Sequence, residues 1–282
     1  MTRRSARCRG ATLMELLVAM TLLAIVGSAT AAAVRMQTSV RARVAGRVSA
    51  ATQQREAIAP LLSDLAVVSP AAGDIPPGAA RDSTLDLRAT IAQGYVCSAA
   101  AADAGALWIA LRNGASSRTI VEGDSVWLYA GEGEWRAAPV VSVGWGAPPA
   151  DGCVENADAP VLRIGVDPVV GGGMARGAPA SFTRLSRYSF YRGSDGGTYL
   201  GLREWSHSSN GLATVQPIAG PFIRGATRFA YFDTTGAELP AASVPSARIA
   251  WIEISLSSRS PMGAADDLPI ATGVSVALRN RR

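Results

Sequence analysis

Nineteen consecutive residues, Leu16–Val34, carry no charge, and the residue just before them is a glutamate, Glu15. A helix of that length at about 1.5 Å per residue reaches roughly 28 Å, close to the hydrocarbon thickness of a bilayer. Residues 1–10 hold Arg3, Arg4, Arg7 and Arg9 and no acid. A basic head before an apolar run is a targeting or anchoring segment. Three readings compete. A secretory signal would be cut after the run, where Thr30-Ala31-Ala32-Ala33 offers small residues. A plain anchor would keep everything. The third reading cuts before the run. Glu15 separates them, because a carboxylate in the first turn of an apolar segment costs a few kcal/mol to insert. Neither a secretory signal nor a plain anchor has a use for that cost.

The stretch Gly10-Ala11-Thr12-Leu13-Met14-Glu15-Leu16-Leu17-Val18-Ala19, behind its basic leader, resembles the class III signal of type IV prepilins and type II secretion pseudopilins. The resemblance implies that a prepilin peptidase cuts between Gly10 and Ala11 and methylates the new amine of Ala11. It makes Glu15 the fifth residue of the mature chain, the position that in this family pairs with the N-terminal amine of an adjacent subunit. It implies further partners: other pilins or pseudopilins of one filament, an inner-membrane assembly platform and a cytoplasmic ATPase. One residue departs from the pattern. The first mature residue is commonly phenylalanine in the family and is Ala11 here. The cytoplasmic side of the leader also follows from the resemblance. Charge counting does not decide it, since Arg35, Arg41, Arg43 and Arg47 balance the four leader arginines.

Loss of residues 1–10 changes the charge balance. The whole chain has 27 cations, all arginine, against 22 acids, and a formal net charge of +5. Without the four leader arginines 23 remain against 22, so the basic excess is a leader effect and is no argument for nucleic acid. Cys8 leaves with the leader, and Cys97 and Cys153 remain. An even count in an exported domain reads as one disulfide, with two buried free thiols as the alternative. A single histidine, His207, excludes sites that need two, and three cysteines exclude a four-cysteine zinc site.

Past the apolar run, Met36, Val40, Val44 and Val48 recur every four residues, and Ile58, Leu61, Leu62, Leu65 and Val68 continue a stripe. The spacing predicts one long helix, apolar all round over 11–34 and amphipathic over 35–70, interrupted or kinked at Pro60 and stopped by Ser69-Pro70. The arginines at 35, 41, 43, 47 and 55 meet no acid until Glu56. They contact lipid headgroups, contact acids of neighbouring subunits, or line a solvated face.

Residues 71–83 read as a loop, and from Thr84 the pattern is β. Short alternating runs fall at Thr84–Arg88, Ala106–Leu111, Ser125–Tyr129, Val161–Val166, Arg184–Tyr191, Tyr199–Trp205, Thr227–Phe232, Ile249–Leu256 and Val274–Leu278, separated by Gly, Pro and Asn-Gly turn signals. The set Arg228–Asp233, Gly236, the run Ile249–Leu256 and a closing Leu278-Arg279-Asn280 resembles the J-type pseudopilins and related large minor pilins.

Other candidate sites are bland. Gly171-Gly172-Gly173 lacks the GK[ST] of a phosphate loop, Asp266-Asp267 lacks the ladder of an EF-hand, and Glu132 and Glu134 flank a turn glycine. His207 sits among Ser206, Ser208, Ser209 and Asn210 with no nucleophile elbow. The six tryptophans lie mostly in β runs, as core or sheet-face residues. No cofactor, metal site or catalytic constellation emerges. The expected architecture is α+β: a leader (1–10), a transmembrane half-helix (11–34), an amphipathic half (35–70) and a β-rich, pilin-like periplasmic domain (71–282). The resemblance implies a minor structural subunit, at the tip, of a type IV filament anchored in the inner membrane. The rival is a membrane-anchored periplasmic enzyme or ligand-binding protein, which would have no need of Gly10 and Glu15, and a tip adhesin, a pilin fold with a binding surface, lies between the two.

Overall fold

The computed structural model describes residues 13–99, 106–112, 118–146, 161–167, 174–241, 244–258 and 270–278. One α-helix, α1 (Leu13–Leu65), precedes fourteen strands among these residues. The strands are β1 (Thr84–Ala99), β2 (Ala106–Leu111), β3 (Ser125–Gly131), β4 (Glu134–Pro139), β5 (Ser142–Gly146), β6 (Val161–Gly165) and β7 (Pro179–Arg192). They continue with β8 (Thr198–Ser206), β9 (Gly211–Leu212), β10 (Gln216–Phe222), β11 (Arg228–Phe232), β12 (Glu238–Leu239), β13 (Trp251–Ser258) and β14 (Ile270–Ala277). The fold is α+β, a long apolar N-terminal helix followed by a β-rich domain of antiparallel strands.

Helix α1 has 53 residues, about 80 Å at the usual rise. Pro60 lies inside it without ending it. The end comes at Leu65, just ahead of Ser69-Pro70. Proline disfavours helical backbone at the residue before it, and Ser69 is extended at φ −121°, ψ 102°. The Ser69 amide donates to the Asp74 carboxylate at 2.8 Å, which turns the chain towards the sheet.

The docked face of α1 differs from the valine spacing. Met36, Val40, Val44 and Val48 remain 70, 48, 56 and 60% exposed. The buried line is Gly46, Ala50, Gln54, Ile58, Leu61 and Leu65. Val48 is two residues from both Gly46 and Ala50, hence about 200° round the helix and on its far side. The physical reason is size. Glycine and alanine let the helix backbone come close to the sheet, and a glutamine supplies the polar contact. Hydropathy periodicity detects none of these.

Two apolar cores lie on one side of the long strands β1 and β7. In the first, Ile58, Leu61, Leu65 and Val68 meet Leu85, Leu87, Tyr188, Leu200, Phe222, Phe229, Tyr231, Ile252 and Ile254. Here the sheet β10-β8-β7-β1 and the smaller sheet β12-β11-β13-β14 enclose the end of the helix. The second core holds Ile91, Val96, Leu107, Ile109, Val126, Leu128, Leu162, Ile164 and Phe182.

The second core is enclosed by a ring of strands. β7 pairs with β3 and β1, β1 with β2, β2 with β6, and β6 with β5. β4 pairs with β3. Between β4 and β5 the chain changes partner: the Val140 amide donates to Asp124 O at 2.8 Å, and the next amide, Val141, to Gly165 O at 2.9 Å. The segment from Glu134 to Gly146 therefore closes the circuit into a six-membered antiparallel barrel, which removes the open edges that a sheet otherwise presents. The β3–β4 turn, Glu132-Gly133, has φ of 50° and 84°. Two left-handed residues in succession make the tight hairpin turn that matches strand twist.

Candidate functional site

Three features of α1 bear on function: a free N-terminal part, a docked C-terminal part and a latch between helix and sheet. Glu15 lies in the first turn and on an exposed stretch. From Leu13 to Ala45 nearly every residue is exposed, and the apolar 18-residue window long enough to cross a membrane is 0% buried by the protein itself. Gly10, Ala11 and Cys153 lie outside the described residues. Cys97 is 3% exposed near the end of β1, grouped with Ala110 and Val161.

The latch is Gln54, 1% exposed. Its amide nitrogen donates to Ser258 Oγ on β13 at 3.0 Å, and Thr272 Oγ1 on β14 donates to its amide oxygen. One glutamine thus ties the helix to the last two long strands. Gln54→Ala is expected to lower unfolding stability by about 1–3 kcal/mol, the cost of leaving the buried Ser258 hydroxyl and the half-buried Thr272 hydroxyl without an amide partner. A shift in urea midpoint of the detergent-solubilised chain measures it.

A polar layer separates the two cores. Asp64, in the last turn of α1, accepts from Tyr188 Oη at 2.7 Å and pairs with Arg118 at 3.4 Å. Arg118 also reaches Glu204 at 3.1 Å. Arg184 meets Glu204 at 3.5 Å and grips Asp124 through two bonds of 2.7 and 2.9 Å. Burial raises the Asp64 carboxyl above its ordinary range against the opposing pull of Tyr188 and Arg118. Burial likewise raises the Tyr188 hydroxyl, with the Asp64 charge adding to the effect. Hydrogen bonding to Asp124 holds the Arg184 guanidinium firmly charged. The layer connects the end of the helix to the barrel.

In the C-terminal third, Asp233 builds the β11–β12 turn. Its carboxylate accepts from the Thr235 hydroxyl and amide at 2.6 and 2.9 Å, from the Ala237 amide at 3.1 Å and from Arg248 at 2.9 Å. These bonds, the Thr235 hydroxyl first, lower its pKa to about 2. The Leu278 amide donates to Ala250 O at 2.8 Å and closes the sheet.

The remaining sequence candidates hold no chemistry in common. Glu134 pairs with Arg136 at 3.0 Å on an exposed hairpin. His207 is exposed in a turn, 4.0 Å from Glu122. Gly171-Gly172-Gly173 and Asp266-Asp267 lie outside the described residues. Gln54 and the chain from Asp64 to Asp124 were not singled out in the sequence. No motif marks them, because their partners come from elements far apart in the chain.

Residues 5–31 match the prokaryotic N-terminal methylation motif. The chain begins with a class III signal segment of the type IV pilin and pseudopilin kind. That segment implies processing by prepilin peptidase and pilin-type assembly. Residues 13–31 of the matched span form the start of the exposed part of α1. No curated protein and no solved structure matches the chain.

Proposed function

We propose that this protein is a minor structural subunit, at the tip, of a type IV filament, either a type II secretion pseudopilus or a type IV pilus. Residues 1–10 are its leader, 11–34 its membrane half-helix, 35–70 its spine and 71–282 its periplasmic domain. The observation that carries the reading is the methylation motif on a helix whose first 33 described residues project from their own domain. An apolar rod of that kind needs a lipid or a bundle of like helices around it. In the inner membrane it has the first, and in a filament core the second. The J-like C-terminal third and the large barrel favour the tip, because a bulky domain packs poorly at every step of a shaft.

Co-expression with a prepilin peptidase is the direct test. Cleavage between Gly10 and Ala11 is expected, and intact mass will also show whether the Ala11 amine carries a methyl group. The processed chain should then appear in the sheared filament fraction together with its companion pilins. A mature end near Ala33 would overturn the reading in favour of a secretory signal.

The same reading places Cys97 and Cys153 in an oxidising compartment, and we propose that they form a disulfide. Closing a loop of that length is worth roughly 4 kcal/mol in the chain-entropy treatment. Thiol labelling of the denatured, unreduced mature chain should find no reactive thiol, and two per chain would exclude the bridge.

A further inference from the structure

We infer that Arg35, Arg41 and Arg43 form a collar that binds anionic phospholipid headgroups where α1 leaves the membrane. The inference rests on the reading of residues 11–34 as the membrane half of the helix. The uncharged run ends at Val34, so Arg35 falls at the boundary of the hydrocarbon. Arg41 and Arg43 follow at about 9 and 12 Å along the axis. The headgroup region of one leaflet is about 5–8 Å thick. Arg35 therefore lies within it, and the long side chains of Arg41 and Arg43 reach back into it.

Exposure and charge support the assignment. All three arginines are exposed on α1, and none makes an ion pair among the described residues. No acid occurs between Glu15 and Glu56, so no counter-charge lies within twelve residues of the collar on its own helix. Direction identifies the partner. At about 100° per residue, Arg41 and Arg43 stand roughly 240° and 80° round the helix from Arg35. Three cations pointing three ways suit a surrounding layer of phosphates, whereas a protein groove would meet one face. Arg47 is different. It lies about 18 Å beyond Arg35, past the headgroups and a further Debye length of about 8 Å. It is also level with Gly46, where the domain docks.

The collar would hold the stored subunit upright and at a fixed depth. Its contacts would be given up when the helix is pulled out of the bilayer.

The test uses the full chain in vesicles made of two parts phosphatidylcholine to one of phosphatidylglycerol. Flotation reports insertion, and native mass spectrometry of the extracted protein reports retained lipid. The parent chain should keep phosphatidylglycerol several-fold above its share of the mixture. The triple variant Arg35→Gln, Arg41→Gln, Arg43→Gln should float equally well and lose that enrichment. Arg47→Gln should behave as the parent does. A parent chain that floats but shows no enrichment overturns the collar and leaves the membrane reading intact. Equal loss in Arg47→Gln and the triple variant also overturns it, in favour of a diffuse attraction of the whole basic helix for anionic lipid, and so does enrichment that the triple variant keeps. A parent chain that fails to float removes the membrane reading and the collar together.

Discussion

Arg184→Met is expected to destabilise the domain by about 3–5 kcal/mol, the usual cost of stripping one partner from a buried ion pair. The Asp124 side chain is 1% exposed, and two of its bonds come from Arg184. Methionine keeps most of the volume and supplies no donor. The Asp124 carboxylate would keep only local partners such as the Val121 amide, at 2.8 Å. Arg184 also donates to Thr119 O at 2.8 Å, so the loop ahead of β3 loosens as well. For a domain of this size the loss corresponds to roughly 10 °C or more in Tm. Thermal and urea unfolding of the detergent-solubilised chain, followed by tryptophan fluorescence, will report it. The double variant Arg184→Met, Asp124→Asn should recover a large part of the loss, because the uncompensated charge is gone. A single variant within about 1 kcal/mol of the parent would show that water reaches Asp124 and that the layer is not a dry one.

Glu15→Ala is expected to remove the protein from the filament while leaving its membrane level unchanged or higher. Insertion improves when an acid leaves an apolar run. Folding is indifferent, because the docked part of α1 starts at Gly46, thirty-one residues later. Assembly suffers, because under the proposed function a neighbour's N-terminal amine loses its counter-charge in a low-dielectric bundle. Removing one side of such a pair costs about 3–5 kcal/mol. Glu15→Gln, which keeps an acceptor, should fall between. Quantitative blotting of sheared filaments against total membranes separates the effects. If Glu15→Ala enters filaments as the parent does, Glu15 is not an assembly determinant, and an anchored protein without a filament role becomes the better account.

The sequence disclosed the helix and most strands because each depends on local pattern. The run at Ile249–Leu256 alternates with period two, and β13 spans Trp251–Ser258. The basic leader, Gly10 and Glu15 lie within a few residues of one another, so the signal segment was legible directly. β4, β5 and β10 were not. The first carries Glu134 and Arg136, the second alternates tryptophan and valine with glycine, and the third contains Pro217 and Pro221. Each is a strand because of what it pairs with, and its own composition argues against it. The stripe at Ile58, Leu61, Leu65 and Val68 is buried as expected, but the helix face ahead of it was misjudged for a related reason. Gly46, Ala50 and Gln54 make the contact through small size and one amide, whereas the valines that suggested it face away. The layer from Asp64 to Asp124 is drawn from residues 64, 118, 124, 184 and 204. Only the closed fold brings those positions together.

The pairing of β1 with β7 has a consequence for how the molecule can be divided. Gln93 stands opposite Ser181, and from there outward the two strands stay paired, with one bulge between Thr90 and Ala92, to Thr84 and Ser189. Everything that builds the barrel beyond that rung lies between those two residues in the chain. The barrel is thus a cassette spliced into a hairpin whose stem belongs to the helix-bearing half. A two-residue Asn-Gly turn could replace the cassette and keep the register of the stem, since such turns join directly opposed strands. Arg118 and Asp124 would leave with the cassette, and Asp64 and Arg184 would open to water. The barrel and the helix-bearing half therefore meet through one two-stranded stem and through the contacts of Arg118 with Asp64 and of Asp124 with Arg184.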